Sequence, residues 1–579
     1  LSSVVDIRLK EGNRKYREGK LELGLISLKG MFEGPIGKKD EQGEAATSFL
    51  ISGRRTFLDL FSRPAQWLSK SENRSGFSFY DLTAKINHRF EAGNEIFISF
   101  YTGNDALNLG SIDRIETDSS SLTDRLIQKL DWGNETAMIR WNKLWSKRVF
   151  SNLSVYYSRY KLGADLRKRR RIRFNGQTTE NTNGSIFSSR LRELGVRWGN
   201  SWKFARQHHL RAGLQGQRYH FSPSATQFII QEDQLLKGDS VLSAPIQSLW
   251  TGAAYVEDIF QLSQKVAGHL GFRYSAINTG SNFSSYIQTR AKLSWQIHDK
   301  LHMFLGYTEN VQFLHLLSNA ELPLPVDLWV PSTEKVKPAL SKQVSAGWAG
   351  NFGKGTWAWQ VESYYKKQSH LIAYTEGANF FDEDPSPTNL APSTDWENEV
   401  ETNGEGLSYG AELLLERNQG RLSGWISYTL GWTWRQFEGI NDGKRYPFIF
   451  DRRHNLNIST GFQLSERSSI HANWIIQSGR RTSLPLGEFI SIYGNSVLLY
   501  GERNNHQFPL YHRMDLAYSN RKEKPYGQRV WRIGAYNAYS RLNAYSVSVE
   551  TFQGEVFLSS NSLFPIIPYL SIEWVFDKF

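Results

Sequence analysis

The chain has 579 residues, a net charge of +12 and no cysteine, which excludes a disulfide scaffold, Cys-ligated zinc and thiol catalysis. Aromatic residues make up 14% of it, yet no apolar run reaches 18 residues, so no transmembrane helix is encoded. Mean hydropathy is −0.49, which suits a soluble protein but equally a membrane β-barrel, whose strands turn one side to lipid and the other to a wet lumen.

In chain order, residues 1–13 read as one extended segment, and the first barrel strand is expected from about Gly19. Period-two stretches of about ten residues then recur, the length that crosses a bilayer as a tilted strand. Ile287, Ala291, Leu293, Trp295 and Ile297 alternate with Gln288, Arg290, Lys292, Gln296 and His298. Trp357, Trp359, Val361 and Tyr365 stand opposite Gln360, Glu362, Tyr364 and Lys366. Leu422, Ile426, Tyr428, Leu430, Trp432 and Trp434 share a face, with Ser423, Ser427, Thr429 and Thr433 on the other and Trp425 an exception there. Ile470, Ala472, Trp474 and Ile476 oppose His471, Asn473 and Gln477. A helix would space apolar residues three and four apart. A soluble sandwich would seldom keep long polar faces tipped with Trp and Tyr. Very short connections (Glu91–Asn94, Ser146–Arg148, Gln261–Lys265, His298–Lys300, Asn418–Gly420, Ser465–Glu466) alternate with long ones near 57–76, 103–132, 162–186, 221–248, 311–340, 368–405, 437–450, 479–509 and 542–565. The pattern predicts an all-β, antiparallel, up-and-down transmembrane barrel of about 22 strands, with short periplasmic turns and long external loops. Residues 14–579 form it.

At about 22 strands the barrel is plugged-transporter size. Ser2-Ser3-Val4-Val5-Asp6-Ile7-Arg8-Leu9-Lys10 resembles the closing strand of a TonB-dependent receptor plug, and Gly19-Lys20-Leu21-Glu22-Leu23-Gly24-Leu25 the first barrel strand. Glu33-Gly34-Pro35-Ile36, Phe49-Leu50-Ile51-Ser52-Gly53-Arg54-Arg55-Thr56, Leu324-Pro325-Val326-Asp327-Leu328-Trp329-Val330-Pro331-Ser332, Phe450-Asp451-Arg452-Arg453-His454 and Tyr511-His512-Arg513-Met514-Asp515-Leu516 are similar to segments of the branch whose plug follows a carboxypeptidase-regulatory-like domain. The resemblance implies an outer-membrane importer of a nutrient or chelate in a Gram-negative bacterium, driven by the TonB system through a plug of which residues 1–13 are the remnant. It also admits a surface lipoprotein lid, or a scaffold subunit of a larger outer-membrane complex that does not transport. The alternation of Leu570, Ile572, Trp574 and Phe576 reads as the assembly signal, followed by a short tail.

For substrate contact at the lumen or mouth, the candidates are Arg452, Arg453, His454, Arg513, Asp515 and Trp329. Asp451 with its two arginines can equally be an ion-pair network holding the mouth. Arg513 and Asp515, two apart on one strand, face one side. The loop 322–338 carries four prolines and is stiff. Arg167, Lys168, Arg169, Arg170, Arg171 and Arg173 form the densest charge run, expected in an external loop facing lipopolysaccharide phosphates or an anionic ligand. Glu376, Asp382, Glu383, Asp384, Asp395, Glu397, Glu399 and Glu401 form an acidic loop whose spacing matches no EF-hand. No metal or cofactor site is expected, and no nucleic-acid partner. No nucleophile elbow, P-loop or zinc helix motif occurs, so no enzyme activity is expected.

Overall fold

A computed structural model describes residues 7–57, 74–91, 93–117, 120–232, 235–243, 247–280, 282–318, 327–376, 396–490, 496–552, 555–562 and 564–577. Consecutive strands pair antiparallel, and the first, Glu18–Gly24, pairs with the last, Ile567–Asp577, so the sheet closes. The main sheet has 24 strands; two of them, Leu235–Ser243 and Tyr446–Pro447, are short additions on neighbouring strands, leaving 24 − 2 = 22 around the barrel. Closure is what hydrocarbon demands, because an open edge would leave backbone groups without partners.

The alternation assigns the two faces. Leu21, Ile51, Ile86, Ile98, Ile139, Val155, Val196, Leu214, Phe272, Ile287, Leu305, Val344, Leu413 and Ile470 are exposed outward, where lipid lies. Their neighbours of opposite parity face the lumen. Leu570, Ile572, Trp574 and Phe576 are in phase with Leu23 and Leu21 across the closing seam, so the outward face of the last strand ends at Phe576. No helix of the described residues is long and apolar enough to cross a membrane, which says nothing against strands.

Five of the six short connections expected from sequence are tight turns or bends between paired strands, and the sixth, Glu91–Asn94, also joins paired strands, with residue 92 outside the described residues. The expected long loops at 103–132, 162–186 and 221–248 are corrected. There the strands run on as tall paired hairpins: Asn94–Glu116 with Ser120–Ser146, Val149–Phe174 with Gln177–Trp202, and His208–Glu232 with Leu235–Ser243. Ser120–Ser146 has 27 residues, well over twice the roughly ten that cross a bilayer. Above the membrane the outward side chains need not be apolar, so these ladders carry charge and read as loops. The segments 58–73 and 377–395, which hold most of the expected loop at 57–76 and half of that at 368–405, lie outside the described residues.

At the long-loop end the connections fold inward. Leu314–Leu317 and Leu328–Pro331 pair as a hairpin. Leu317, Leu328, Val330 and Val336 are buried in one cluster with Leu130, Leu162, Ala164 and Phe187 on one side of the lumen and Tyr374, Trp396 and Val400 on the other. Phe313 and Leu314 pack on Tyr219, Phe221, Leu249 and Ile277. The connection therefore bridges the mouth, held by apolar side chains on the inner face of the wall.

Candidate functional site

The lumen offers three features. The first is the path of the N-terminal segment. Residues 7–17 run along the inner wall at the short-turn end. Glu33, with no exposed surface, accepts a hydrogen bond from the Asn13 backbone N–H at 3.0 Å and pairs with the Lys10 ammonium. Ser48 Oγ donates to the Gly12 carbonyl at 2.8 Å, and Lys85 Nζ to the Leu9 carbonyl at 3.2 Å. Arg14 meets Glu95 at 3.3 Å. Glu11 sits 4.0 Å from Lys85 and 3.9 Å from Arg140, two cations stacked over the buried Phe97 ring. Residues 1–6, which carry most of the plug-like motif, lie outside the described residues.

The second is a cationic stretch of wall. Arg197, Arg273, Arg290 and Lys292 lie at lumen-facing positions of strands Gln177–Trp202, Val266–Asn278 and Phe283–His298. Arg273 donates to Gln215 Oε1 at 2.9 Å and Ser275 Oγ at 3.1 Å; Arg290 reaches Asn310 at 3.4 Å. Arg197 lies over the Tyr156 ring, and Lys292 over Phe304. No carboxylate of the described residues forms a salt bridge with any of the four. Such a surface attracts anions into a confined lumen, where field lines are focused.

The third is a cavity of about 810 Å³ between the wall and the in-folded loops. Glu362, Lys366, Glu412 and Arg435 line its wall side, His315, Tyr446 and Arg503 its loop side. Lys366 is buried without a hydrogen bond or salt bridge among the described residues. Arg435 donates to Gln368 at 2.9 Å and stacks on Phe448. On the loop side, burial pushes the His315 imidazole down to about 4, and its Nε2 lies 3.1 Å from Ser332 Oγ. Burial also raises the Tyr446 hydroxyl.

The residues singled out from sequence are scattered. Asp451 is buried, accepts from the Thr433 N–H at 2.9 Å, and holds Arg453 at 3.7 Å and Arg481 at 3.8 Å. It clamps the mouth. Arg452 bonds Gln477. His454 does not face the lumen: it pairs with Leu430 on the outward parity, and its Nδ1 meets the Tyr428 hydroxyl at 2.8 Å. Arg513 and Asp515 do face the lumen together at 3.0 Å, with Arg513 also on the Tyr536 hydroxyl at 2.6 Å. Trp329 sits on the in-folded hairpin opposite Leu316, a cavity-lining residue. Arg167 to Arg173 belong to a strand, not a loop: Arg170 forks onto Asp124 at 2.7 and 2.8 Å, and Arg171 and Arg169 share Glu180. Arg167, Arg169, Arg171 and Arg173 keep the outward parity of Val155. Among the acidic-loop residues, Glu376, Glu397, Glu399 and Glu401 are described, and no metal-holding cluster occurs among the described residues. Sequence reading missed the cationic wall and the cavity; a signal for the wall was present in Arg290 and Lys292 on one polar face.

A closed 22-stranded sheet with a lipid-facing apolar exterior, a polar lumen and loops folded into its mouth defines a large outer-membrane receptor barrel. Residues 57–552 match the model of the family described as TonB dependent receptor-like, beta-barrel, and the chain belongs to that family, whose members are receptors and transporters rather than enzymes. Among solved structures, it is similar to the siderophore receptor PiuA from Acinetobacter baumannii (TM-score 0.63, 10% identity, covering 98% of this chain and 82% of that one). It is also similar to the ferripyoverdine receptor of the Pseudomonas aeruginosa outer membrane (0.62, 9%, 98% and 72%). A third is the ferric-catecholate import receptor Fiu from K12 E. coli (0.61, 10%, 98% and 82%). At these identities the likeness is one of fold. No curated protein matches the sequence.

Proposed function

We propose that this barrel belongs to an energised importer that brings an anionic nutrient or metal chelate across the outer membrane, driven by the TonB system through a plug that precedes residue 14. The observation that carries the reading is the route of residues 7–17, which enter the barrel along its inner wall. A chain entering from inside is suited to a domain lodged in the lumen. The cationic wall supports anionic cargo, and the mouth residues Arg513, Asp515, Arg452, Arg453 and Trp329 shape its approach. His454 would act on the outer surface. Outside the barrel, Arg167, Arg169, Arg171 and Arg173, with Lys168 and Arg170 behind them, fit contact with lipopolysaccharide phosphates.

The test is uptake by cells expressing the full-length gene product, offered paired anionic and neutral chelates. Arg273→Gln with Arg290→Gln should lower anionic uptake at least about tenfold, with neutral uptake little changed. Removal of TonB should abolish both. Uptake that is indifferent to TonB overturns the importer, and a stable outer-membrane complex without any uptake favours the scaffold.

A further inference from the structure

The outward face at the short-turn end carries a feature unrelated to the lumen. Trp141, Trp145, Trp198 and Trp202, with Val149, Leu210 and Ala212, wall a groove of about 560 Å³ across strands Ser120–Ser146, Val149–Phe174, Gln177–Trp202 and His208–Glu232. The groove faces lipid. Trp141 shares the parity of exposed Ile139, Trp198 that of Leu194 and Val196, and Ala212 that of Leu214. Its floor is polar and satisfied internally: Trp145 Nε1 donates to Ser151 Oγ at 2.9 Å, and Ser151 bonds Asn200. Trp141 donates to Asn94 at 2.8 Å. The Trp141 and Trp145 indoles are thereby fixed, and the small residues Ser151 and Ala212 leave a channel beside them.

The rim of the groove is cationic. Lys147 and Arg148 form one turn, and Lys203 and Arg206 lie on the next. The two turns abut, since the Lys203 N–H donates to the Arg148 carbonyl at 2.9 Å. All four side chains are exposed, and none has a salt bridge among the described residues. Lys143, by contrast, is paired with Glu91. Four uncompensated cations over an apolar, tryptophan-walled channel at the membrane interface have the order of charges that an anionic lipid has in reverse.

We propose that this groove is a binding site for an anionic glycerophospholipid of the leaflet on the short-turn side, with an acyl chain between the tryptophans and the phosphates on Lys147, Arg148, Lys203 and Arg206. The proposal stands whether or not the lumen transports anything. It explains in one stroke why the channel is apolar on its walls and unpaired in charge at its lip.

Native mass spectrometry of the full-length protein in detergent tests it, with phosphatidylglycerol and phosphatidylcholine supplied at equal concentration. The wild type should retain one phosphatidylglycerol with at least about tenfold preference over phosphatidylcholine. The variant Lys147→Gln/Arg148→Gln/Lys203→Gln/Arg206→Gln should lose the preference. Ala212→Phe, which fills the channel and leaves the rim intact, should lose retention of both lipids. Heat-modifiable migration on a gel checks that each variant is folded; a variant that fails is replaced by Ser151→Leu for the channel or by the paired changes Lys147→Gln/Lys203→Gln for the rim. Equal retention of the two lipids by the wild type, a phosphatidylglycerol preference that survives the rim change, or phosphatidylglycerol retention that survives the channel change in folded protein, overturns the proposal.

Discussion

Glu33→Ala should release the N-terminal segment from the lumen wall. The Glu33 carboxylate is fully buried and accepts from the Lys10 ammonium and the Asn13 N–H. Lys10 is 58% exposed, so its share is at most about 1 kcal/mol. The buried, charge-assisted bond from Asn13 contributes about 1.5–3 kcal/mol. Together their loss weakens the docked segment by roughly 2–4 kcal/mol, a factor of about 30 to 1,000 in the local opening constant. Hydrogen exchange of the backbone amides over residues 9–14, measured on the folded protein, reads that constant. The change should stay local, because the Ser48, Lys85 and Arg14 contacts remain. Glu33→Gln keeps an acceptor for Asn13 and loses only the ion pair, so its effect should be less than about tenfold. If the Asn13 amide exchanges at the wild-type rate in Glu33→Ala, the segment is not held as described and the inner-wall route loses its anchor.

Three further outcomes are expected. His315 lies in the in-folded connection, outside the spanning strands; its folded pKa of about 4 is below the 6.5 of the free imidazole. The unfolded connection takes up the proton first, so stability present above pH 6.5 is lost as pH falls towards 4, by about 3 kcal/mol in all; limited proteolysis of 314–331 should accelerate across that window, and a flat profile, or a His315→Gln profile as steep as wild type, would refute it. Val330→Asp places an unpaired carboxylate where no surface is exposed, costing several kcal/mol; the hairpin should become protease-sensitive and single-channel conductance should rise while the barrel stays heat-modifiable, and unchanged conductance would mean the hairpin does not narrow the mouth. Gly527 has φ +133 and a Cβ there would lie 2.1 Å from the Val575 carbonyl oxygen, so Gly527→Ala should cost at least about 2 kcal/mol and slow closure of the last strand; an unaltered urea midpoint and folding rate in micelles would count against it.

The barrel was legible because lipid and lumen impose opposite chemistry on alternate residues. Leu293 and Trp295 must face hydrocarbon, so Arg290 and Lys292 must face water, and the sequence shows both. That constraint stops at the membrane surface. Arg167 to Arg173 read as a loop because a strand above the bilayer has no apolar face to show. Their partners, Asp124 and Glu180, are fixed by register across chain turns that composition does not specify. His454 was grouped with the charges before it at the mouth, but it is the first residue of a strand whose register with Leu430 turns it outward, and no composition of 450–453 specifies that register.

The mouth was hidden for a different reason, yet it left a mark. Leu130, Leu162, Phe187, Phe221 and Ile277 are apolar at lumen-facing positions, where a wet interior would select polar groups. Each looks like a local lapse in alternation. All lie towards the long-loop ends of their strands, and all are buried by the connection carrying Phe313, Leu328 and Val330. An apolar residue on the wet side of a barrel strand needs something dry to cover it. The stiff, proline-rich connection around Trp329 is the piece whose apolar pattern has no lipid to face. Those two anomalies belong together, one covering the other, which makes breaks in alternation at strand ends, rather than charge runs, the better guide to what occupies a barrel's mouth.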